Sequence, residues 1–457
     1  MGTLQSEPET PAAPRKVSAA RNALSIFATR LVVFPVLILT SILVARILGP
    51  ADRGRYAFLT LLGSQILPLV SFGFAGSIVY FISSRKYKTQ DVAYTCLLIG
   101  LFQGAVSATF FGLLWHFGWL GKTASNIPWL PVMIVLVTLP IQSALLMISR
   151  IAVGESWFSI SNVQTLSMPL LMSGSLILFV AIARWGQTGA ATAIAVSNTI
   201  LLSMQMFSIW RRAKPRFRVD RRFIAEGYSY GMRVWFGDLA MRANLRMDQF
   251  VLGVMGTPEA LGLYTVAVNV SELLWILPDS LSLVMYNKIA AAPSQQERVR
   301  LTDQVHRALL VIMIGLGILF AGLGHWLILF MYGKAYVNAA LPLALLVPGT
   351  VVWSSFKIIS KFFGASGMPG KSSFIAIVGS VVGIGLYFLL IPPFGLIGAA
   401  VASSTGYIAT TGLAIHIYYR MVSPEKPHLF KCSILDFSWL FRQLKGSLHS
   451  PKQKARG

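Results

Sequence analysis

Apolar and polar positions are segregated along this chain in long blocks. Stretches of about 20 residues, rich in Leu, Ile, Val, Phe, Ala and Gly, recur from residue 24 to residue 418 and are separated by short polar links. A helix needs about 20 apolar residues to cross the hydrocarbon of a bilayer. On that ruler the pattern predicts twelve spans: 24–45, 56–82, 92–115, 128–149, 160–182, 188–210, 230–254, 262–286, 307–330, 339–360, 373–391 and 396–418. The alternating ten-residue segments that a membrane β-barrel requires are missing. The expected fold is therefore all-α, a polytopic membrane protein with 12 transmembrane helices. The polar, Pro/Ala-rich stretch 1–21 is expected to be a disordered tail, and the first apolar run a span and not a cleaved leader.

Composition agrees. Of 457 residues 55% are apolar and 12% are charged, half the charged share of about 25% in soluble domains, and the mean hydropathy is +0.66. A net charge of +23 would suit nucleic acid, but Lys and Arg concentrate in tails and links, where they face anionic membrane lipids. No zinc-finger, RRM or basic-zipper pattern accompanies them, so nucleic acid is not an expected partner.

Links with excess positive charge stay on the cytoplasmic side. The basic links are 83–91 (Arg85, Lys86, Lys88), 150–159 (Arg150), 211–222, which holds seven Arg or Lys against one Asp, and 287–306 (Lys288, Arg298, Arg300). They alternate with charge-poor links, which predicts a multi-pass protein of the cell inner membrane with both termini cytoplasmic. One link runs against the rule: ARILGPADRGRY, with Arg46, Arg53 and Arg55. The tail from Arg420 has eight Lys or Arg, two acidic residues and a short apolar stretch around Trp439, suited either to an interfacial helix or to a plain solubilising tail.

Three pairs of segments repeat at nearly one offset. Leu48 to Tyr56 resembles Met255 to Tyr264, Ile148 to Ser156 resembles Ile359 to Gly367, and Trp185 to Ala193 resembles Phe394 to Ala402, at offsets of 207 to 208, 211 and 209 residues. Their shared order predicts two copies of six spans. An even number of spans gives both copies the same orientation, hence two parallel six-helix bundles with a cavity between them, a transporter architecture. The expected organisation is a tail, 1–21; a first bundle, 22–210; a basic linker, 211–222; a second bundle, 223–419; and a basic tail, 420–457.

Ionisable residues inside hydrocarbon cost several kcal/mol, so those retained line water-filled cavities or meet a partner. The candidates for a cavity that binds an anionic, phosphate-bearing substrate are Arg30 in span 1, Arg53 in the exceptional link, and Arg233, Arg242 and Arg246 before or in span 7. Arginine donors match phosphate or pyrophosphate. Asp238, Asp248, Glu272 and Asp279 are candidates for a coupling proton or sodium ion, or for structural pairing; Asp238 stands four residues before Arg242, where the two can neutralise one another. Lys357 and Lys361 also fall within a span. No catalytic constellation is present, no clustered Cys and His suggest a metal, and no GxxxxGK[ST] loop suggests nucleotide use, so neither enzyme activity nor a cofactor is expected.

The stretch from Leu43 to Phe81, the stretch from Leu245 to Val270, and FGLIGAAVAS from Phe394 to Ser403 resemble the polysaccharide biosynthesis membrane proteins. These are lipid-linked oligosaccharide flippases within a superfamily of multidrug, oligosaccharidyl-lipid and polysaccharide exporters. The resemblance covers roughly residues 20 to 420. It implies movement of a polyprenyl-pyrophosphate-linked oligosaccharide from the inner to the outer leaflet for surface or exopolysaccharide synthesis, with polysaccharide polymerase and export proteins as partners. An Arg-lined cavity in such proteins would match Arg30 and the span-7 arginines. Two other functions compete: a cation-coupled multidrug exporter of the same architecture, and a non-transporting scaffold for polysaccharide enzymes.

Overall fold

A computed structural model describes the backbone of residues 16–422, 428 and 429, with side chains from Pro35 to Val422 except those of 283 and 284, and of residues 428 and 429. The C-terminal stretch around Trp439 and Cys432 lies outside the described residues.

Within them the chain is all helix: α1 (Lys16–Ser71), α2 (Phe74–Ser83), α3 (Thr89–His116), α4 (Gly121–Ser125), α5 (Trp129–Gly154), α6 (Phe158–Leu176), α7 (Gly186–Ala213), α8 (Arg221–Met255), α9 (Pro258–Glu272), α10 (Ile276–Ala291), α11 (Gln295–Tyr332), α12 (Ala340–Ala365) and α13 (Pro369–Val422). A π-helical turn, Ile177–Ile182, extends α6. Among the described residues nine helices are long and apolar enough to cross a membrane. Two of them are interrupted, α1 at Gly49 (φ 74°) and α13 at Gly395 (φ 55°). Only glycine adopts such backbone without strain, and Pro50 then restarts the helix where its missing N–H costs nothing. The α8 helix is not among the nine, because Asp238, Arg242, Arg246 and Asp248 lower its hydropathy. The run predicted as span 2 is also broken, at Phe72 and Gly73, both with positive φ.

The helices form two interacting halves. In the first, α3, α5 and α7 pack together and α6 lies against α7 and α1; in the second, α13 packs on α8 and α12, and α12 on α9, α10 and α11. The halves meet at both ends of the bundle. At the link end, named for the basic 211–222 link, Gly73 abuts Gly231 backbone to backbone, and Tyr80 stacks on Tyr230 at 4.5 Å. At the far end, Gly54 abuts the Pro258 carbonyl while Gly262 abuts the Pro50 carbonyl. Gly54 and Gly262, like Pro50 and Pro258, stand at equivalent positions of the first repeated pair, so the repeat meets itself across a local two-fold. Helical rise places Gly54 and Gly73 roughly 29 Å apart, close to the hydrocarbon thickness.

The other repeated pairs also share backbone geometry. Ser156 and Gly367 both adopt left-handed turns (φ 57° and 77°), and each is followed by the same closing bond, Trp157 N–H to Ala152 O and Met368 N–H to Phe363 O, at 2.8 Å in both. Gly186 and Gly395 share φ 55°.

One feature crosses the boundary between halves. The first turns of α8 contribute Phe223, Tyr228 and Tyr230 to a core otherwise built from the first half, including Phe74, Phe81, Val92 and Ile148. Asp220 caps α8, accepting from Phe223 N at 2.9 Å, and its own N–H bonds Thr95 on α3.

Candidate functional site

Between the halves, beneath the far-end seam, lies a cavity of about 250 Å³ lined by α1, α8 and α9. Arg53, Tyr56, Thr60 and Ser64 fall on one face of α1 at spacings of three and four residues, and that face looks into the cavity. Arg246 and Gln249 come from α8, Thr265 and Asn269 from α9. Each half therefore supplies one guanidinium.

The two are held differently. Arg53 is only 7% exposed; Nη2 donates to Ser41 Oγ at 3.3 Å and the group lies 5.6 Å from the Tyr56 ring centroid. Its Nε has no hydrogen-bond partner, and among the described residues no carboxylate lies within ion-pair distance of it. A buried charge without a counter-ion carries a penalty of several kcal/mol, which an anion in the cavity would offset. Arg246 is paired, its two terminal nitrogens donating to Glu272 at 2.6 and 3.1 Å. Ser41 joins the halves, accepting also from Asn269 Nδ2 at 3.4 Å and lying 3.3 Å from the Tyr332 hydroxyl.

The remaining candidates lie elsewhere. Arg242 does not reach this cavity; Asp238, one turn earlier on α8, holds it at 2.9 Å. Arg233 is exposed nearer the link end and does not line the cavity either. The Arg30 side chain lies outside the described residues. Asp279 pairs with Lys357 at 2.6 Å, and Lys357 sits 4.3 Å over the Trp275 ring. Asp248 is 1% exposed and accepts three hydrogen bonds, from Tyr264 Oη at 2.6 Å, Ser403 Oγ at 3.0 Å and Gln249 N at 2.7 Å.

Sequence reasoning did not single out Gln249 or Asn269, because neutral amides leave no signature in an apolar run. It also assigned Arg150 to a link. The Arg150 Nε is buried without a partner, and its charge is close enough to interact with Arg242 and Asp238 of the second half. Among the described residues no group of His, Cys, Asp and Glu forms a metal site.

Outside the membrane-crossing helices, the link end is tied by Glu226. It receives Lys86 Nζ at 2.7 Å, Tyr87 Oη at 3.0 Å and Arg222 Nε at 3.1 Å. Hydrogen bonds from Lys86, then Arg222, hold its carboxyl down at about 2. Burial and the bond to Glu226 push the Tyr87 hydroxyl up to about 12.

Taken together, the fold defines an all-α, multi-span membrane protein of two interacting halves with a polar cavity between them. It matches an inward-facing multidrug resistance MATE family transporter of the MOP superfamily with a TM-score of 0.68 at 15% identity, covering 89% of this chain and 99% of that one. The chain belongs to the polysaccharide biosynthesis protein family, whose sequence profile matches residues 19–286. Two similar proteins come from Haloferax volcanii. One is a probable low-salt glycan biosynthesis flippase, 24% identical over 39% of this chain and 38% of its own length. The other is a probable flippase, 24% identical over 44% of this chain and 43% of its own. The chain thus spans about two fifths of the length of these curated relatives.

Proposed function

We propose that the chain is a flippase for an anionic polyprenyl-pyrophosphate-linked oligosaccharide, moving it from the inner to the outer leaflet of a bacterial cytoplasmic membrane. The observation that carries this reading is Arg53, a buried cation with no carboxylate within ion-pair distance among the described residues, in one cavity with Arg246. In this reading the pyrophosphate bridges the two guanidinium groups, each from a different half, while the polyprenyl chain stays in lipid. Counting α1 and α13 as two spans each and adding α8 gives twelve spans, six per half. The halves then correspond to bundles 22–210 and 223–419, with both termini cytoplasmic and the link end facing the cytoplasm. Rocking of one bundle against the other alternates the far-end and link-end contacts. The names of the two archaeal relatives support the cargo class.

A second reading, a cation-coupled exporter, is favoured by the likeness to MATE transporters and by the buried Asp248 with its three donors, a place where a proton or sodium ion would act. One experiment separates them. Lipid-linked sugars are extracted from a deletion strain complemented with the wild type or with Arg53→Gln, and the leaflets are read separately by mass spectrometry. Accumulation of a complete oligosaccharide-pyrophosphate lipid on the cytoplasmic side, cured only by the wild type, supports the flippase. Unchanged pools together with heightened sensitivity to cationic drugs would replace it with the exporter.

A further inference from the structure

A second cavity, of about 220 Å³, lies away from the first, between α6 and α7. Arg212 stands at its mouth in the last turn of α7, with its guanidinium 5.6 Å from the Trp157 ring centroid and Nη2 3.5 Å from Ser159 Oγ. Among the described residues no carboxylate lies within ion-pair distance of Arg212. From Arg212 the groove follows α7 to Leu201, roughly 16 Å at the helical rise, about half of the hydrocarbon thickness. Its walls are apolar where an acyl chain would lie, at Ile160, Val163, Leu201 and Met204.

Midway along it stands a polar group with an unmet requirement. Gln205 is 3% exposed, and its Nε2 donates to Gln164 Oε1 at 3.4 Å, but Oε1 has no hydrogen-bond partner although the residue lines the groove. A buried amide oxygen at membrane depth needs a donor, because no bulk water reaches it there. That oxygen is shut off from the groove, so what the groove itself lacks is a negative charge at its mouth.

We infer that this groove binds an anionic glycerophospholipid of the leaflet at the link end, with the phosphodiester on Arg212 and Ser159 and one acyl chain along α7. Phosphatidylglycerol supplies the missing charge, whereas phosphatidylcholine has no net charge. The site is independent of the transport cavity and of its cargo. It gives the first half a lipid contact specific for charge, where the rest of the basic link attracts anions only diffusely.

Native mass spectrometry of the full chain, purified from equal mixtures of phosphatidylglycerol and phosphatidylcholine, tests it. The wild type should retain phosphatidylglycerol at least tenfold over phosphatidylcholine. Arg212→Gln should lower that retention at least fivefold, Met204→Trp, which fills the acyl channel from a partly exposed position, should lower it about threefold, and Arg212→Lys should keep most of it. Arg211→Gln, a neighbouring cation outside the groove, should change nothing. Equal retention of the two lipids would overturn the inference. So would an equal loss in Arg211→Gln and Arg212→Gln, which would mean diffuse attraction by the link. Should Arg212→Gln shift the unfolding midpoint, Met204→Trp decides alone: unchanged retention there refutes the site.

Discussion

Replacing Gly54 by Ala tests whether the far-end seam sets the balance between states of the two halves. Gly54 lies in helical backbone, so Ala brings no strain of its own and by propensity favours the helix by about 1 kcal/mol. The added methyl, however, points at the Pro258 carbonyl across the seam, well inside contact distance. Both groups are backbone-bound, so no side-chain rotation relieves the clash. Restoring an ordinary carbon–oxygen separation of about 3.4 Å requires α1 and α9 to part by more than an ångström. Overpacking of this kind costs about 1–3 kcal/mol, which lowers the population of the seam-closed state by roughly 5- to 150-fold. Spin labels at Ile47 and Phe330, exposed positions on the two halves at this end, would report the parting by double electron–electron resonance. The expected outcome is a longer and broader distance distribution in Gly54→Ala and in Gly262→Ala, with Gly174→Ala unchanged, since a methyl there meets nothing within 4 Å. Identical distributions in the wild type and both seam variants would refute the reasoning.

Further outcomes follow from the same geometry. Glu272→Gln frees Arg246 from its counter-ion and should tighten binding of farnesyl pyrophosphate several-fold, whereas Arg246→Gln should weaken it at least tenfold; titration by tryptophan fluorescence checks both. Asp248→Asn replaces an acceptor by a donor facing the Tyr264 and Ser403 hydroxyls and should cost about 1–3 kcal/mol, seen as a thermal midpoint a few degrees lower. At the link end the Glu226 carboxyl is lowered from 4.5 to about 2, so its bonds to Lys86 and Arg222 are fully present above pH 4.5 and fade only as pH falls toward 2. A fluorescence pair across Ser83 and Ala225, both exposed, should therefore stay constant between pH 7 and pH 5 in the wild type, and sit at the released value throughout in Glu226→Gln.

Most of the helices and the break at Gly49 were legible because they depend on local chemistry; the break at Phe72 and Gly73, inside the run read as one span, was not. Apolar length marks spans, Gly49 with Pro50 marks a turn, and the repeated Gly and Ser positions mark turns that recur. The pairing of the charges was legible only where it too is local, as in Asp238 and Arg242, one helical turn apart. Arg246 finds Glu272 on α9 and Lys357 of α12 finds Asp279 on α10, contacts that depend on how the second half packs. A list of intramembrane charges therefore shows which residues need partners but not which one is left over. Arg53 differs from Arg242 in lining the cavity and, among the described residues, in having no carboxylate within ion-pair distance, facts about packing that no spacing encodes.

The same contrast explains why the link after the first span is rich in arginine despite standing at the end where charge is otherwise sparse. Arg46 donates to the Met331 and Phe330 carbonyls at 2.9 and 2.5 Å, meeting the unsatisfied C-terminal end of α11, where the helix dipole favours a cation. Arg55 pairs with Asp52 at 2.6 Å, and Asp52 also accepts from Gln187 of α7 at 2.6 Å. Arg46 is thus consumed in joining helices across the halves, and Arg55 in an ion pair within α1. A cation engaged by carbonyls or a carboxylate does not bear on which side of the membrane its link prefers, so these residues carry little weight against the orientation proposed from the basic links. Arg53 stands between the two engaged arginines and alone of the three lines the cavity, where, on the flippase reading proposed above, a substrate phosphate would be its counter-ion.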